Sequence, residues 1–458
     1  MIVGGNTMRN EPNVVVAHLR RSTFDEVSLG FSKQQVMAEA DRCLKCKSQP
    51  CVKSCPVHVD IPTFLAQIKQ DKIDDALATI LKTNPLPGVC GRVCPQESQC
   101  EAACVLTKVN QAVNIGQCER FVADHGTWTS IKKQAVNKKV AVVGAGPAGI
   151  ACAYTLSHAG IAVDIYDSWD QMGGVLRYGI PDFRLPKAVV DLEVDRLMNE
   201  LITFKKNTVI GKTITLEQLK HQHIDAIFLA TGAGLPEFVD MKHSDAIGVF
   251  SANEFLTRIN TFSAHLSDHD TPLYPMKKTI VIGGGNVALD AARCALRLNI
   301  DVCIAYRRTI NRMPARLAEV EHALDEGIEI KECLSPKAVI VDDHYKMTGI
   351  MFQPTKFVMV DGKERVVEDL EKQPIIIEAD SCIVAVGTSP NPLLNSTLPQ
   401  LKLNKWHSIE VDEHLESSIP MVFAGGDAVL GSATVIAALG QGQKAALSII
   451  ERLCEAKD

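Results

Sequence analysis

The chain has 458 residues, 46% hydrophobic and 22% charged, with a formal net charge of -6 at pH 7. That length exceeds what one hydrophobic core serves and implies about three domains. So small a net charge argues against nucleic acid or an anionic membrane surface as the main partner. No apolar run reaches bilayer length, and the start lacks the basic-then-apolar layout of a signal peptide, so a cytoplasmic protein is expected.

The first domain is expected over residues 1-135 and is helical. "SKQQVMAEADRCL" and "TFLAQIKQDKIDDALATILKT" carry apolar residues at three- and four-residue intervals, the second predicted to end at Pro85, Pro87 and Gly88. Two cysteine groups fall at the helix ends. "CLKCKSQPCVKSCP", from Cys43, reads C-x2-C-x4-C-x3-C-P, and "CGRVCPQESQCEAAC", from Cys90, reads C-x3-C-P-x4-C-x3-C. In a reducing compartment such clustering points to metal or redox chemistry rather than disulfides. Zinc is a rival, because C-x2-C is also half a zinc ribbon. Cysteine followed by proline is a ferredoxin-like feature, and eight thiolates suffice for two 4Fe-4S clusters.

At Lys139 the texture becomes strand, glycine turn, helix, strand. Gly144, Gly146 and Gly149 form GxGxxG, and Asp167 ends the next strand 23 residues after Gly144. The glycines let backbone N–H groups and a helix N-terminus approach a pyrophosphate, and Asp167 would take ribose hydroxyls; the bland reading is a tight turn. A second unit starts at Lys277, with Gly283, Gly285, Asn286 and Ala288 in the same parts, but its counterpart of Asp167 is Tyr306, followed by Arg307 and Arg308. Arginines there suit a 2′-phosphate, so NADPH is preferred to NADH, unless they are merely solvated.

Two such units resemble the two-dinucleotide-binding flavoproteins that include thioredoxin and glutathione reductases. "DAIFLATGA", with Thr231 and Gly232, and "DSCIVAVGTSPN" resemble that superfamily's strand-to-loop crossings. "VFAGGDAV" carries Gly426 and Asp427, and the resemblance implies that Asp427 holds the ribityl chain of FAD. The helix that follows would aim its N-terminus at the flavin. The loop "GGVLRYGIP", with Gly174 and Leu176, would pack along the flavin and set the approach of the nicotinamide. The expected fold is therefore α/β, two Rossmann-like domains after a helical iron–sulfur domain, with FAD bound by 136-270 plus 380-458 and NADPH by 271-379. The superfamily's adjacent cysteine pair is missing: Cys152, Cys294, Cys303, Cys333, Cys382 and Cys454 are scattered singly. Electrons need another outlet, which favours iron–sulfur over zinc in the N-terminal groups.

"GFSKQQVMAEADRCLKCKSQPCVKSCPVHVDIP", "NPLPGVCGRVCPQESQCEAAC", "GGVLRYGIPDFRLPK" and "YRRTINRMPAR" resemble the small (β) subunit family of NADPH-dependent glutamate synthase over nearly the whole chain. They are also similar to the N-terminal half of dihydropyrimidine dehydrogenase and to the large subunit of NADH-dependent ferredoxin:NADP oxidoreductase. The resemblance implies interleaved clusters, one on Cys43, Cys46, Cys51 and Cys104, the other on Cys55, Cys94, Cys100 and a carboxylate or amide, which falls on Glu119. Cys118 and Cys90 are competing fourth ligands. It further implies an electron-input subunit that oxidises NADPH for a larger partner, of glutamate synthase alpha type or a pyrimidine-reducing subunit. A self-contained diaphorase and a non-catalytic nucleotide sensor are the rivals. No side chain is expected to act as catalytic acid, base or nucleophile.

Overall fold

The computed structural model describes residues 8–128 and 134–454. Residues 1–7, part of the start read above, and 129–133, just before the expected boundary at 135, lie outside the described residues.

The N-terminal part is helical. Ser32 caps α1 (Lys33–Asp41), its hydroxyl accepting from the Gln35 N–H while the Gln35 side chain returns to the Ser32 N–H. A short α2 (Pro50–Ser54) follows. The stretch read as one long helix is two, α3 (Ile61–Lys69) and α4 (Ile73–Leu81). The polar run Lys69–Lys72 offers no apolar side chain to bury, and Asp71 sits there at φ +58. Pro87 and Gly88 open a helix rather than end one: Pro87 is in the first turn of α5 (Pro87–Val93), where a missing N–H costs nothing. An eleven-residue α6 (Ile115–His125) packs against α5.

Two five-stranded parallel sheets of matching order follow. The first runs Val422–Ala424, Ala226–Leu229, Lys139–Val143, Ala162–Tyr166, Ile202–Lys205. The second runs Val249–Ser251, Ser381–Val384, Lys278–Ile282, Asp301–Ala305, Glu329–Lys331. In each, the strand that enters the glycine motif is central, and a helix leaves that motif: α7 (Pro147–His158) and α9 (Asn286–Arg297), with α8 (Lys187–Leu197) between them in the chain. The expected domain limits at 271 and 380 are corrected by this pairing. Val249–Ser251 and Ser381–Val384 are hydrogen-bonded into the second sheet, so that unit begins before 249 and ends after 384. The antiparallel pair Leu235–Pro236 with Thr388–Ser389 marks the crossing between units. An antiparallel meander, Leu334–Val341, Met347–Val360, Lys363–Glu368 and Ile375–Glu378, is inserted in the second unit.

The last helix, α10 (Val435–Cys454), lies along α7, and the helical part shares one continuous buried core with the first sheet. Gly442 makes the α7–α10 approach feasible: a Cβ there would sit 2.1 Å from the Ala148 carbonyl oxygen. Backbone cannot yield as a side-chain tip can, so Gly442→Ala is expected to destabilise the protein by about 1–3 kcal/mol. Thermal unfolding of the purified variant, with its flavin content measured alongside, checks this.

Candidate functional site

One cavity of about 1050 Å³ lies between the sheets, larger than most small-molecule sites, roughly 300–1,000 Å³. Both glycine motifs open onto it. Gly144, at φ +110, lies so close to the Ala230 carbonyl that a Cβ would be 2.2 Å away, and Gly283, at φ +145, stands 2.3 Å from the Ala385 carbonyl on the same terms. The two crossings "LATGA" and "VAVGT" therefore play the same part in the two units. At Gly146 and Gly285, by contrast, an added Cβ would meet nothing within 4 Å. Each is the residue before a helix N-terminus that lines the cavity, which is the arrangement a dinucleotide phosphate requires. Gly149 lies off the cavity; a Cβ on it would strike the Gly144 oxygen at 1.9 Å, so it serves the packing of α7 on its strand.

Of the other expected residues, Asp167, Gly174, Thr231, Gly232, Asn286, Arg307, Arg308, Gly426 and Asp427 line the cavity. Leu176 does not. It is fully buried in the core beneath the short helix Val175–Tyr178, and Val175 and Tyr178 face the cavity in its place. The Asp167 carboxylate accepts from Ala145 N–H at 2.6 Å and Trp169 N–H at 2.9 Å, bracing the first glycine turn. Burial raises Asp427 to about 6, against the Ala433 N–H that it accepts at 3.3 Å. The side chains of Arg307 and Arg308 meet no carboxylate among the described residues, and the two also border a second hollow with Arg312, Glu364 and Arg365. Arg365 comes from the meander and carries no motif that sequence reading could use.

Motif reading also missed Val93 and Pro95, which line the cavity. They flank Cys94, so the helical domain reaches the nucleotide sites at that cysteine. Arg316 bolts this contact: its guanidinium donates to the Arg92 carbonyl at 2.6 Å and to Gln96 Oε1 at 2.9 Å, and its N–H donates to Asn286 Oδ1 at 3.0 Å.

The cysteines fall into two neighbourhoods. Cys43, Cys46, Cys51 and Cys104 line one apolar hollow under Ile61, Leu65 and Ile115. Burial raises Cys43, and Cys51 to about 11, with the charges of Cys104 and Cys43 adding to the effect. Cys55, Cys94, Cys100 and Glu119 are all buried and act on one another: Glu119 and Cys94 raise Cys55, already pushed to about 11 by burial, and Glu119, Cys55 and Cys94 raise Cys100. Cys118 and Glu119, adjacent on α6, diverge. Cys118 is influenced by Glu39, Glu101, Arg9 and Cys43, on the side of the first group. Cys90 stays with the second, beside Cys94 and 3.6 Å from Asn84 Oδ1. Among the described residues no three of His, Cys, Asp or Glu converge tightly enough for a single ion.

Comparison with known proteins agrees with this geometry. Residues 138–442 match the family model for pyridine nucleotide-disulphide oxidoreductases, and residues 20–131 match that for dihydropyrimidine dehydrogenase domain II, 4Fe-4S cluster. The glutamate synthase [NADPH] small chain of Escherichia coli (strain K12) is 34% identical over 97% of this chain and 97% of its own. The chain belongs to the glutamate synthase small-chain family. The NAD-dependent dihydropyrimidine dehydrogenase subunit PreT of E. coli O157:H7 is also 34% identical, over 94% of this chain and 97% of its own. Among solved structures, Mycobacterium tuberculosis FprA in complex with NADPH shares the fold, with a TM-score of 0.59 and 19% identity over 70% of this chain and 85% of that one. This small-chain relative is thus an NADPH-dependent FAD and iron–sulfur oxidoreductase.

Two buried carboxylates lie near the junction of the iron–sulfur and flavin halves, and one of them, Glu193, ties the halves together. Glu119 is raised to about 8 by burial, partly offset by the Asn84 amide donating at 2.7 Å and reinforced by the charge of Glu193. Glu193, on α8, accepts from the N–H groups of Gly88 at 2.6 Å and Val89 at 3.0 Å, capping α5 from another domain. Glu193→Ala strands both N–H groups, so a loss of about 1–3 kcal/mol is expected. Thermal unfolding reads that loss, and the spectrum of the iron–sulfur centres should shift because α5 leads directly into Cys94.

Proposed function

We propose that the chain is the electron-input subunit of a larger enzyme, glutamate synthase being the assembly it fits best. It would take electrons from NADPH and hand them through FAD and two 4Fe-4S clusters to a partner subunit. The observation that carries this is the single cavity that joins both glycine motifs to Val93 and Pro95, beside Cys94, with no cysteine pair of its own. When bound, NADPH supplies electrons in pairs, FAD converts pairs to single electrons, and iron–sulfur clusters carry them singly.

The chain's residues bind and orient. Gly146 and Gly285 leave room for the two pyrophosphates, and the N-termini of α7 and α9 favour their charge. Asp167 would take the FAD ribose and Asp427 the ribityl chain; both line the cavity, to which Thr434 and Val435 bring the N-terminus of α10. Arg307 and Arg308 would clasp the 2′-phosphate. Cys43, Cys46, Cys51 and Cys104 would hold one cluster and Cys55, Cys94, Cys100 and Glu119 the other. Glu119 is buried with no cation in reach among the described residues, so burial keeps it protonated up to about 8 unless a metal takes its charge, and its place beside Cys55 and Cys100 supports it as the fourth ligand. A pyrimidine-reducing partner is the second reading, supported by the PreT relative.

Pull-down from the native host followed by an assay of glutamine plus 2-oxoglutarate turnover with NADPH tests the main reading, and recovery of a pyrimidine-binding partner replaces it with the second. Replacing Arg307 and Arg308 with alanine should raise KM for NADPH about tenfold or more, with little change for NADH. Equal changes in steady-state assays with both nucleotides would sink the assignment. Glu119→Cys and Glu119→Ala should each alter the EPR spectrum of the reduced protein, while Cys90→Ser should leave it as it is; an unchanged spectrum in both Glu119 variants removes that ligand.

A further inference from the structure

The four cysteines of the first group are all partly exposed, whereas Cys55, Cys94 and Cys100 of the second are buried. The segments that carry the first group, 42–54 and 102–113, contain Arg42, Lys45, Lys47, Lys53 and Lys108 and no acidic residue, in a chain of net charge -6. All four lysines are exposed. No ion pair joins any of the four lysines to a carboxylate among the described residues, whereas Arg42 pairs with Glu39; the acids next in sequence are engaged elsewhere, Asp41 by Lys69 and Glu101 by Arg9. The same segments carry exposed apolar side chains, Leu44 at 59%, Val105 at 39% and Val109 at 65%. Leu44 and Val105 wall the hollow formed by Cys43, Cys46, Cys51 and Cys104.

Apolar side chains among exposed charges of one sign are the anatomy of a protein interface, and unpaired lysines select a partner of opposite sign. We propose that the face built by these segments, Leu44, Val105 and Val109 with Lys45, Lys47, Lys53 and Lys108, docks the electron-accepting protein, and that this acceptor presents an apolar patch among acidic side chains. The proposal rests on the electron-input reading and adds the partner's surface chemistry to it. Each NADPH oxidised to NADP+ releases two electrons and a proton. An acceptor seated on this face therefore takes two single electrons per NADPH, and the proton passes to solvent.

The test titrates the holoprotein with the acidic haem domain of cytochrome b5 and, in parallel, with basic cytochrome c, measuring Kd without turnover. The wild type should bind the acidic probe more tightly than the basic one, and salt at roughly 0.5 M should abolish that preference. K47E/K53E/K108E should weaken the acidic probe by about tenfold or more and strengthen the basic one. Its cluster EPR spectrum should match the wild type; should the clusters be lost, K47Q/K53Q/K108Q takes its place, with a smaller loss expected. L44Q/V109Q should weaken binding with little salt dependence. Equal binding of the acidic probe to wild type and charge variants, or a wild-type preference for the basic probe, overturns the proposal. Bleaching of flavin and cluster absorbance by NADPH is scored separately. Its failure refutes the electron-input reading, while the binding arms still decide the docking face.

Discussion

The architecture depends on how closely α10 can be approached from two sides. Gly442 lets the Ala148 carbonyl of α7 come so near that no side chain fits, and Gly440, half a turn away, does the same for the Pro56 carbonyl, which a Cβ would meet at 2.9 Å. One neighbour belongs to the helix that opens at the first glycine motif. The other follows Cys55. A single helix thus fixes the distance between the first nucleotide site and the buried cysteine group, and its own N-terminus lines the cavity between them. Close packing makes that distance a property of the fold rather than of a flexible linker.

Much of this was legible in the sequence because motifs constrain backbone. Gly144, Gly149 and Gly283 sit where a Cβ would strike backbone, and Gly146 and Gly285 stand before the two helix N-termini with open space beside them, so the motifs mark a central strand turn and helix start in each unit. The cysteine sets were legible only through family resemblance: spacing alone does not say that Cys104 joins Cys43 while Cys55 turns away. Periodicity misled where two amphipathic helices shared one apolar phase across Asp71, and where Pro87 read as a stop although proline serves equally at a first turn. Leu176 was placed at the site by its loop, yet a four-residue helix turns alternate side chains inward and outward, and leucine took the inward place.

The domain limits were hidden for another reason. Sheet membership is decided by partners far away in the chain, and Val249–Ser251 reaches its sheet from before the glycine strand. Arg316 and Glu193 show the same limit at the level of single side chains. Each is an unremarkable charge in sequence, and each reaches across a domain boundary to backbone groups next to Cys94 or at the start of its helix.

The second nucleotide unit is held to the segment after the flavin loop by charge as well as by core, since Phe183 of that segment enters its buried cluster. Arg184, in the segment that follows the flavin loop, pairs with Asp290 of α9 at 2.6 Å and with Glu319 at 3.4 Å, and Glu326 takes both Arg293 and Arg297 at 2.8 Å. Arg293 and Arg297 also lie over the ring of Phe183, the residue before Arg184. Burial opposes ionisation of these acids, yet Arg184 and Arg293 hold Glu319 down to about 2. A buried network of this kind contributes little net stability compared with apolar packing, but removing one member costs about 3–5 kcal/mol because its partners are left charged. It therefore acts chiefly to select one arrangement. Arg184 and Asp290 themselves line the cavity, so the arrangement selected is the one in which both glycine motifs open onto the same space. Transfer between two bound nucleotides needs their reacting rings to meet, and a network that makes any other relative placement expensive supplies that condition before either cofactor binds.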